Sequence, residues 1–155
     1  MSSLQQVKAR ISPEKAFAII SSMDLSKIHN RMVSKGECDP AVSEAVMVEY
    51  RKFISISAAY ASQDHRIAIS SKVDPAWHTH ILFTQEYKKM CEAIGVEFFH
   101  HLPAEKESLS DLEADYANTL SAYNKHFGKP PEEFWPKNDQ ICGVGGCACS
   151  GTGNE

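Results

Sequence analysis

The sequence lacks long apolar runs, clusters of positive charge and any leader-like start. No stretch approaches the roughly 20 apolar residues that a membrane-spanning helix needs, and the start, MSSLQQVKARISPEK, has no apolar core of a secretory signal. Lysine and arginine are scattered among an excess of acids, so the net charge of −4 argues against a nucleic-acid-binding surface. We therefore expect a cytoplasmic protein with reduced thiols, and neither nucleic acid nor membrane as a partner.

Proline is sparse, and three of its positions read as helix starts. It follows a serine or an aspartate in Ser12-Pro13, Asp39-Pro40 and Asp74-Pro75, where it suits the first helical turn after a capping residue. Apolar residues then recur at steps of three and four, the spacing of a buried helical face. The pattern predicts an all-α fold, a compact bundle of about five helices. The predicted helices span residues 13–23, 24–35, 39–60, 74–95 and 109–127.

The segments between and after these helices are poor in regular pattern. RIAIS alternates apolar and polar residues and is interpreted as one short extended piece, too little for a sheet. KPPEEFWPKN, after Gly128, is expected to leave the helical body. From Asn138 onward the chain has too little apolar bulk to offset an ordering entropy of about 1–2 kcal/mol per residue. We expect a helical domain over 1–137 and a flexible Gly/Cys-rich tail over 138–155.

Four histidines lie in two pairs, in WHTH and in FFHHLP. Positions two apart on a helix lie about 200° apart, because each step turns about 100°. His78 and His80 therefore cannot both bind one ion from a regular helix. A helical wheel places His80 among apolar residues and His78 on the opposite, polar side. Periodicity thus predicts that His80 is buried, although the preceding loop can still cover His78.

The position of the second histidine pair, His100 and His101, follows from the length of the segment that connects it to the end of the helix. A continuous helix carries Gly95 roughly 22 Å from His80, and six extended residues returning from there cover roughly 20 Å. An antiparallel return therefore brings His101 close to WHTH. Only one of His100 and His101 is expected to face inward, because adjacent side chains of an extended segment point to opposite faces. A pocket containing His78 or His80 and one residue of the second pair follows.

The same segment resembles a known protein family. VDPAWHTHIL, followed by Tyr, Cys, Gly and FHHLP, resembles the glycine-rich domain-containing protein-like family, which has an Asp-x-x-Trp-His-x-His core. The matching positions are Asp74, Trp77, His78, His80, Tyr87, Cys91, Gly95 and His101, with His100 as the competing choice. The terminal ICGVGGCACSGTG also suits this family. The resemblance favours His78 as the functional histidine, whereas the helical wheel favours His80, and it supplies no established reaction.

The functional interpretation of the histidines is a metal site. Imidazole suits both Zn²⁺ and Fe²⁺, and three protein ligands with one open position give a catalytic geometry. The candidate ligands are Asp74, His78, His80, His100 and His101. Further candidates, as a ligand or as a residue that orients one, are Asp64, His65 and Glu97. The alternative is a structural cluster that hydrogen-bonds the backbone, and the spacing matches no established zinc signature.

Cys91, Trp77 and Tyr87 are expected to pack in the core. Cys91 falls on the apolar arc, about 16 Å along the predicted helix from His80, so it cannot share a metal with that histidine. A thiol in apolar surroundings has a raised pKa and is inert.

The tail carries a separate group of thiols in Cys142-x4-Cys147-x-Cys149. Three thiolates suit Cu(I) or Zn²⁺, although a fourth ligand or a second chain is then needed. The other interpretations are a disulfide with one thiol left over, a segment that is modified, or cysteines without a role. A protein partner is also expected to bind through this tail.

These observations favour a small helical binding or accessory module with a histidine-rich site. The competing class is a metal-dependent enzyme, a hydrolase or an oxidoreductase, in which the same histidines hold a metal-activated water. A third class is an interaction protein that acts through its surface and its Cys-rich tail. An open coordination position beside an acid or base favours the enzyme, whereas histidines saturated by hydrogen bonds favour a scaffold.

Overall fold

The fold is all-helical in the computed structural model, which describes residues 10–62, 65–101 and 109–137. Within these ranges the chain forms six helices and no strand. The helices are α1 (Pro13–Ser21), α2 (Ser26–Ser34), α3 (Ser43–Tyr60), α4 (Asp74–Leu82), α5 (Thr84–Ala93) and α6 (Leu109–Phe127). The predicted all-α class is confirmed, and no described helix is both long and apolar enough to cross a bilayer. The predicted tail over 138–155, with its three cysteines, lies outside the described residues.

Polar side chains contact the backbone at the start of the first two helices, and the contact at α1 is a side-chain N-cap. Ser12 accepts a hydrogen bond from the Lys15 N–H at 3.2 Å, and Pro13 occupies the first helical turn, as the sequence predicts. Before α2, Asp24 accepts from the Ser26 N–H at 2.9 Å. These short polar contacts satisfy backbone donors that a helix start leaves without an internal partner.

Glycines end α2 and α5 in the same way. Gly36 and Gly95 have φ of 70° and 80°, a left-handed conformation that other residues rarely adopt. After Gly36, the Glu37 N–H donates to the Met32 carbonyl at 3.0 Å. After Gly95, the Val96 N–H donates to the Cys91 carbonyl at 2.9 Å. Both turns are Schellman motifs. They fix the direction in which Glu37 and the segment 96–101 leave their helices.

The predicted continuous helix over 74–95 is wrong, because the helix is interrupted at Phe83 and forms α4 and α5 instead. This residue has φ −93° and ψ 73°, outside the helical region, and its N–H donates to the His80 carbonyl at 2.9 Å to close α4. The next helix begins at once, with the Tyr87 N–H donating to the Phe83 carbonyl. The side chain of Phe83 packs against the core. Neither proline nor glycine lies at the junction, so the break carries none of the usual sequence signals.

Helix α3 lies at the centre of the molecule. It packs against α1, α2, α4 and α6, and residues on most of its faces are buried. A helix that is buried nearly all round needs neighbours on every side. The remaining helices and the connecting segments therefore form a shell around it.

The segment after α6 also belongs to this shell. KPPEEFWPKN does not leave the helical body as predicted, because Phe134 and Trp135 are buried. The Trp135 Nε1–H donates to Glu49 Oε1 of α3 at 3.0 Å, and the Tyr123 hydroxyl donates to the same oxygen at 2.6 Å. Lys52 Nζ lies 3.4 Å from the second oxygen. Two aromatic rings supply the apolar area that holds an otherwise polar segment in place.

Replacing Trp135 tests this packing. We expect Trp135→Ala in the full chain to lower the free energy of unfolding by about 3–5 kcal/mol, the range for truncating a buried aromatic residue. Trp135→Phe keeps one aromatic ring but removes the N–H to Glu49 and part of the buried ring system, so it should cost less than Trp135→Ala, about 1–3 kcal/mol. Urea unfolding followed by circular dichroism measures both. An unchanged midpoint in Trp135→Ala would show that the segment does not pack on the body.

Candidate functional site

The site is built on Asp74, the first residue of α4. Its carboxylate is buried, and its N–H donates to the Ser70 carbonyl at 3.0 Å. The positive end of the helix dipole favours a carboxylate in the first helical turn. His78 follows one turn later, so the i, i+4 spacing places both side chains on one face of α4.

Two imidazoles flank this carboxylate. His78 Nε2 lies 3.3 Å from Asp74 Oδ2, and His101 Nε2 lies 3.0 Å from Asp74 Oδ1. The two imidazole rings are 4.4 Å apart between centroids. The side chain of Asp74 is 2% exposed and that of His101 is 12% exposed, whereas that of His78 is 41% exposed. The group is therefore closed on the Asp74 side and open to solvent at His78.

The surroundings of His78 disfavour its protonated form. Burial lowers the pKa of His78, the carboxylate of Asp74 opposes this shift, His101 adds to it, and Glu37 opposes it. Neutral imidazole is the form that binds a metal. One ligand atom each from Asp74, His78 and His101 lies within 4.8 Å of the others, so this group can hold a metal ion.

Aromatic contacts hold His101 in place. Its ring packs on Trp77 with centroids 4.4 Å apart. The Trp77 Nε1–H donates to the Tyr87 hydroxyl at 2.9 Å, and that hydroxyl donates to the Phe99 carbonyl at 2.6 Å. Trp77 and Tyr87 are core anchors, as predicted, and they also tie the segment that carries His101 to both α4 and α5.

His80 is fully buried and lies outside this group. The helical wheel predicted its burial correctly. The Tyr50 hydroxyl lies 2.7 Å from its Nδ1, and the Tyr87 ring meets it in a T-shaped contact at 5.2 Å. Its Nε2 has no hydrogen-bond partner in the part of the chain that the structure describes. Burial lowers the pKa of His80 to about 4, although the backbone and charge of Glu86 oppose the shift.

The side chains of His100 and His101 point to different sides of their segment, as expected for adjacent residues of an extended chain. His101 turns inward to Asp74, whereas His100 is exposed, with its ring 4.9 Å from that of Phe98. Of the five predicted metal ligands, the structure brings Asp74, His78 and His101 together and leaves His80 and His100 apart. That these residues bind a metal stays a prediction.

The other candidates from the sequence lie elsewhere. The ring of His65 lies 6.1 Å from that of Tyr60, and Glu97 borders a cleft between α1 and the end of α5. Cys91 is buried, and burial raises the pKa of its thiol, which fits the predicted core role. Asp64 and the thiols of the tail lie outside the described residues.

Glu37 is the neighbour of the site that the sequence did not reveal. The Thr79 hydroxyl lies 3.2 Å from Glu37 Oε2, which brings this carboxylate against α4 one residue beyond His78. It stands 37 residues before Asp74 in the chain, so no local spacing links the two. Only the packing of α2 on α4 joins them.

The low pKa of His80 predicts a pH-dependent stability. Its pKa is about 4 in the folded chain against an ordinary 6.5, so the unfolded chain takes up the proton first as the pH falls. The resulting stability is full above pH 6.5 and is lost down to about pH 4, by about 3 kcal/mol in total. We expect the free energy of unfolding, measured between pH 7.5 and 4.5 with a chelator present, to fall less steeply in His80→Gln. Identical slopes in the two proteins would contradict the low pKa.

Comparison with known proteins gives one match. Residues 16–120 match the model of the UCP032817-like family, which is uncharacterised. No curated protein and no solved structure matches the chain. The expected membership of the glycine-rich domain-containing protein-like family is therefore wrong. That resemblance rested on one histidine-rich stretch and on the composition of the tail, whereas the match spans α1 to α6 and ends before the tail. The chain belongs to the UCP032817-like family.

Proposed function

We propose that Asp74, His78 and His101 bind a divalent transition metal, Zn²⁺ or Fe²⁺, and that the protein is a metal-binding accessory module. One observation carries the proposal: a buried carboxylate lies between two imidazole nitrogens at 3.0 and 3.3 Å. Zinc lies about 2.0–2.2 Å from nitrogen and oxygen ligands, so neighbouring ligand atoms around it are separated by about 3.0–3.5 Å. Both spacings between an imidazole nitrogen and a carboxylate oxygen of Asp74 fall within that range.

The burial of Asp74 supports the same proposal. A buried carboxylate is costly unless opposite charge or several hydrogen bonds compensate it. A divalent cation bound between the three side chains provides the charge and uses all three as ligands.

The donor set also supports the choice of metals. Two histidines and one carboxylate with open positions are the ligands of many non-haem Fe²⁺ centres, and a similar set binds zinc in metalloenzymes. When bound, such an ion lowers the pKa of a coordinated water. The exposed side of His78 leaves room for that water. This opening favours the second candidate function, a metal-dependent hydrolase or oxidoreductase at the same site.

Metal titration of matched variants tests the proposal. We expect wild-type protein, purified without chelator, to bind one Zn²⁺ or, anaerobically, one Fe²⁺ per chain in isothermal titration calorimetry. Asp74→Asn and His101→Gln each remove a ligand and should lower the affinity by at least about 100-fold, since even outer contacts of a metal site account for 10- to 100-fold. The matched control is His100→Gln, which changes the adjacent, exposed histidine and should bind as wild type does.

The thiols of the tail need a separate control. A triple variant with Cys142, Cys147 and Cys149 changed to serine should retain metal at the histidine site. Metal lost in this variant but kept in His101→Gln would move the binding site to the tail. Equal binding by His101→Gln and His100→Gln would also contradict the proposal.

Tyr87 should act on the metal through His101. Tyr87→Phe removes the hydroxyl that joins Trp77 to the Phe99 carbonyl, so the segment before His101 loses one of its ties. We expect the metal affinity to fall by about tenfold, as for other outer contacts of a metal site. Calorimetry measures the affinity, and circular dichroism of the metal-free protein checks that the helices remain. An unchanged affinity would show that this hydroxyl does not position His101.

A further inference from the structure

The carboxylate of Glu37 lies beside α4, at the residue that follows His78. The Schellman turn after α2 fixes the Glu37 backbone, since its N–H donates to the Met32 carbonyl at 3.0 Å. Its Oε2 lies 3.2 Å from the hydroxyl of Thr79, the residue after His78 in α4. Among the three candidate ligands, His78 is the most exposed, and Glu37 is exposed as well. An exposed acid therefore lies one residue along α4 from the most exposed of the three candidate ligands.

The hydrogen bond between the Thr79 hydroxyl and the Glu37 carboxylate is weak. A threonine hydroxyl has a single proton to donate. The Thr79 hydroxyl also lies 2.8 Å from the Pro75 carbonyl, closer than its 3.2 Å distance to Glu37. The shorter contact takes the proton preferentially. Because the side chain of Glu37 is exposed and loosely held, it can rotate away from Thr79 at small cost.

The charge of a bound ion favours movement of the Glu37 side chain from Thr79 toward the ion. A divalent ion bound by one carboxylate and two neutral imidazoles keeps one excess positive charge in a half-buried site. Excess charge away from water is unfavourable. A second carboxylate neutralises it, and Glu37 is the further carboxylate whose charge acts on His78.

We propose that Glu37 is the fourth metal ligand, which turns from Thr79 to the ion on the exposed side of His78. This inference rests on the proposed function. It specifies a site of two histidines and two carboxylates, assembled from the turn after α2, from α4 and from the segment 96–101. Four protein ligands fill a tetrahedral zinc site, whereas a six-coordinate Fe²⁺ keeps two open positions. Glu37 thus makes the bound zinc inert and leaves the bound iron accessible.

Cobalt titration separates this proposal from the simpler site. Co²⁺ substitutes for zinc, and its visible absorption reports the number and type of its ligands. We expect Glu37→Gln to bind Co²⁺ at least about tenfold more weakly than wild type and to shift the absorption band. The matched control is Glu113→Gln, which removes one exposed carboxylate of α6 and should leave both affinity and spectrum unchanged.

A second variant separates ligand binding from support of the fold. Thr79→Val releases the carboxylate of Glu37 without removing it, so this variant should bind Co²⁺ as tightly as wild type or more tightly. A loss in Thr79→Val as large as in Glu37→Gln would assign the effect to the Thr79 contact and overturn the proposal. The helical content and melting temperature of the metal-free variants, followed by circular dichroism, should match those of the wild type.

The outcomes distinguish the two proposals. If Glu37→Gln behaves as Glu113→Gln does while Asp74→Asn loses Co²⁺, Glu37 is not a ligand and the three-residue site stands. If wild-type protein binds no Co²⁺, Zn²⁺ or Fe²⁺, both proposals fall. A weakened affinity with an altered spectrum in Glu37→Gln alone is the result that supports the fourth ligand.

Discussion

The buried carboxylate of Asp74 is the constraint on which the arrangement of the site depends. It lies at the start of α4, where the helix dipole favours it, and it faces two imidazoles that come from different parts of the chain. His78 is local to the helix, but His101 must be returned from beyond α5. The turn at Gly95 and the aromatic contacts of Trp77 both serve that return. The contact with Asp74 and these aromatic contacts together hold the segment 96–101 against the bundle.

The break at Phe83 lets two helices share this task. With α4 and α5 as separate helices, Tyr87 of α5 lies beside both Trp77 and His80 of α4. Its hydroxyl reaches the Phe99 carbonyl, while its ring covers the imidazole of His80. One side chain thus borders the apolar core on one side and supports the polar site on the other. This dual contact accounts for a tyrosine at a position that packing alone would give to phenylalanine.

Much of this structure follows from short-range signals in the sequence, and the remainder depends on contacts between distant residues. The Ser12-Pro13 cap and the glycines after α2, α5 and α6 predicted helix ends correctly because they act within one turn, whereas Asp39-Pro40 does not start a helix, since α3 begins at Ser43. The extended return from Gly95 predicted that His101 lies near WHTH, and it does, although the distance assumed one continuous helix where the chain forms α4 and α5. Phe83 and Glu37 carried no local signal: neither proline nor glycine marks the break at Phe83, and Glu37 reaches α4 only through the packing of α2. The burial of Trp135 escaped prediction for a similar reason, because its partner Glu49 lies 86 residues away.

The contact between Trp77 and His101 gives the molecule an optical reporter of its own site. Indole emission depends on the electrostatic field and on quenching groups within a few ångströms, and here an imidazole ring lies 4.4 Å from the indole. The second tryptophan, Trp135, is buried against Glu49 and contacts neither imidazole of the site among its described ring contacts. A change of charge or position at His101 therefore alters the emission of one tryptophan and spares the other. The difference between the two makes the state of the site readable in unlabelled protein.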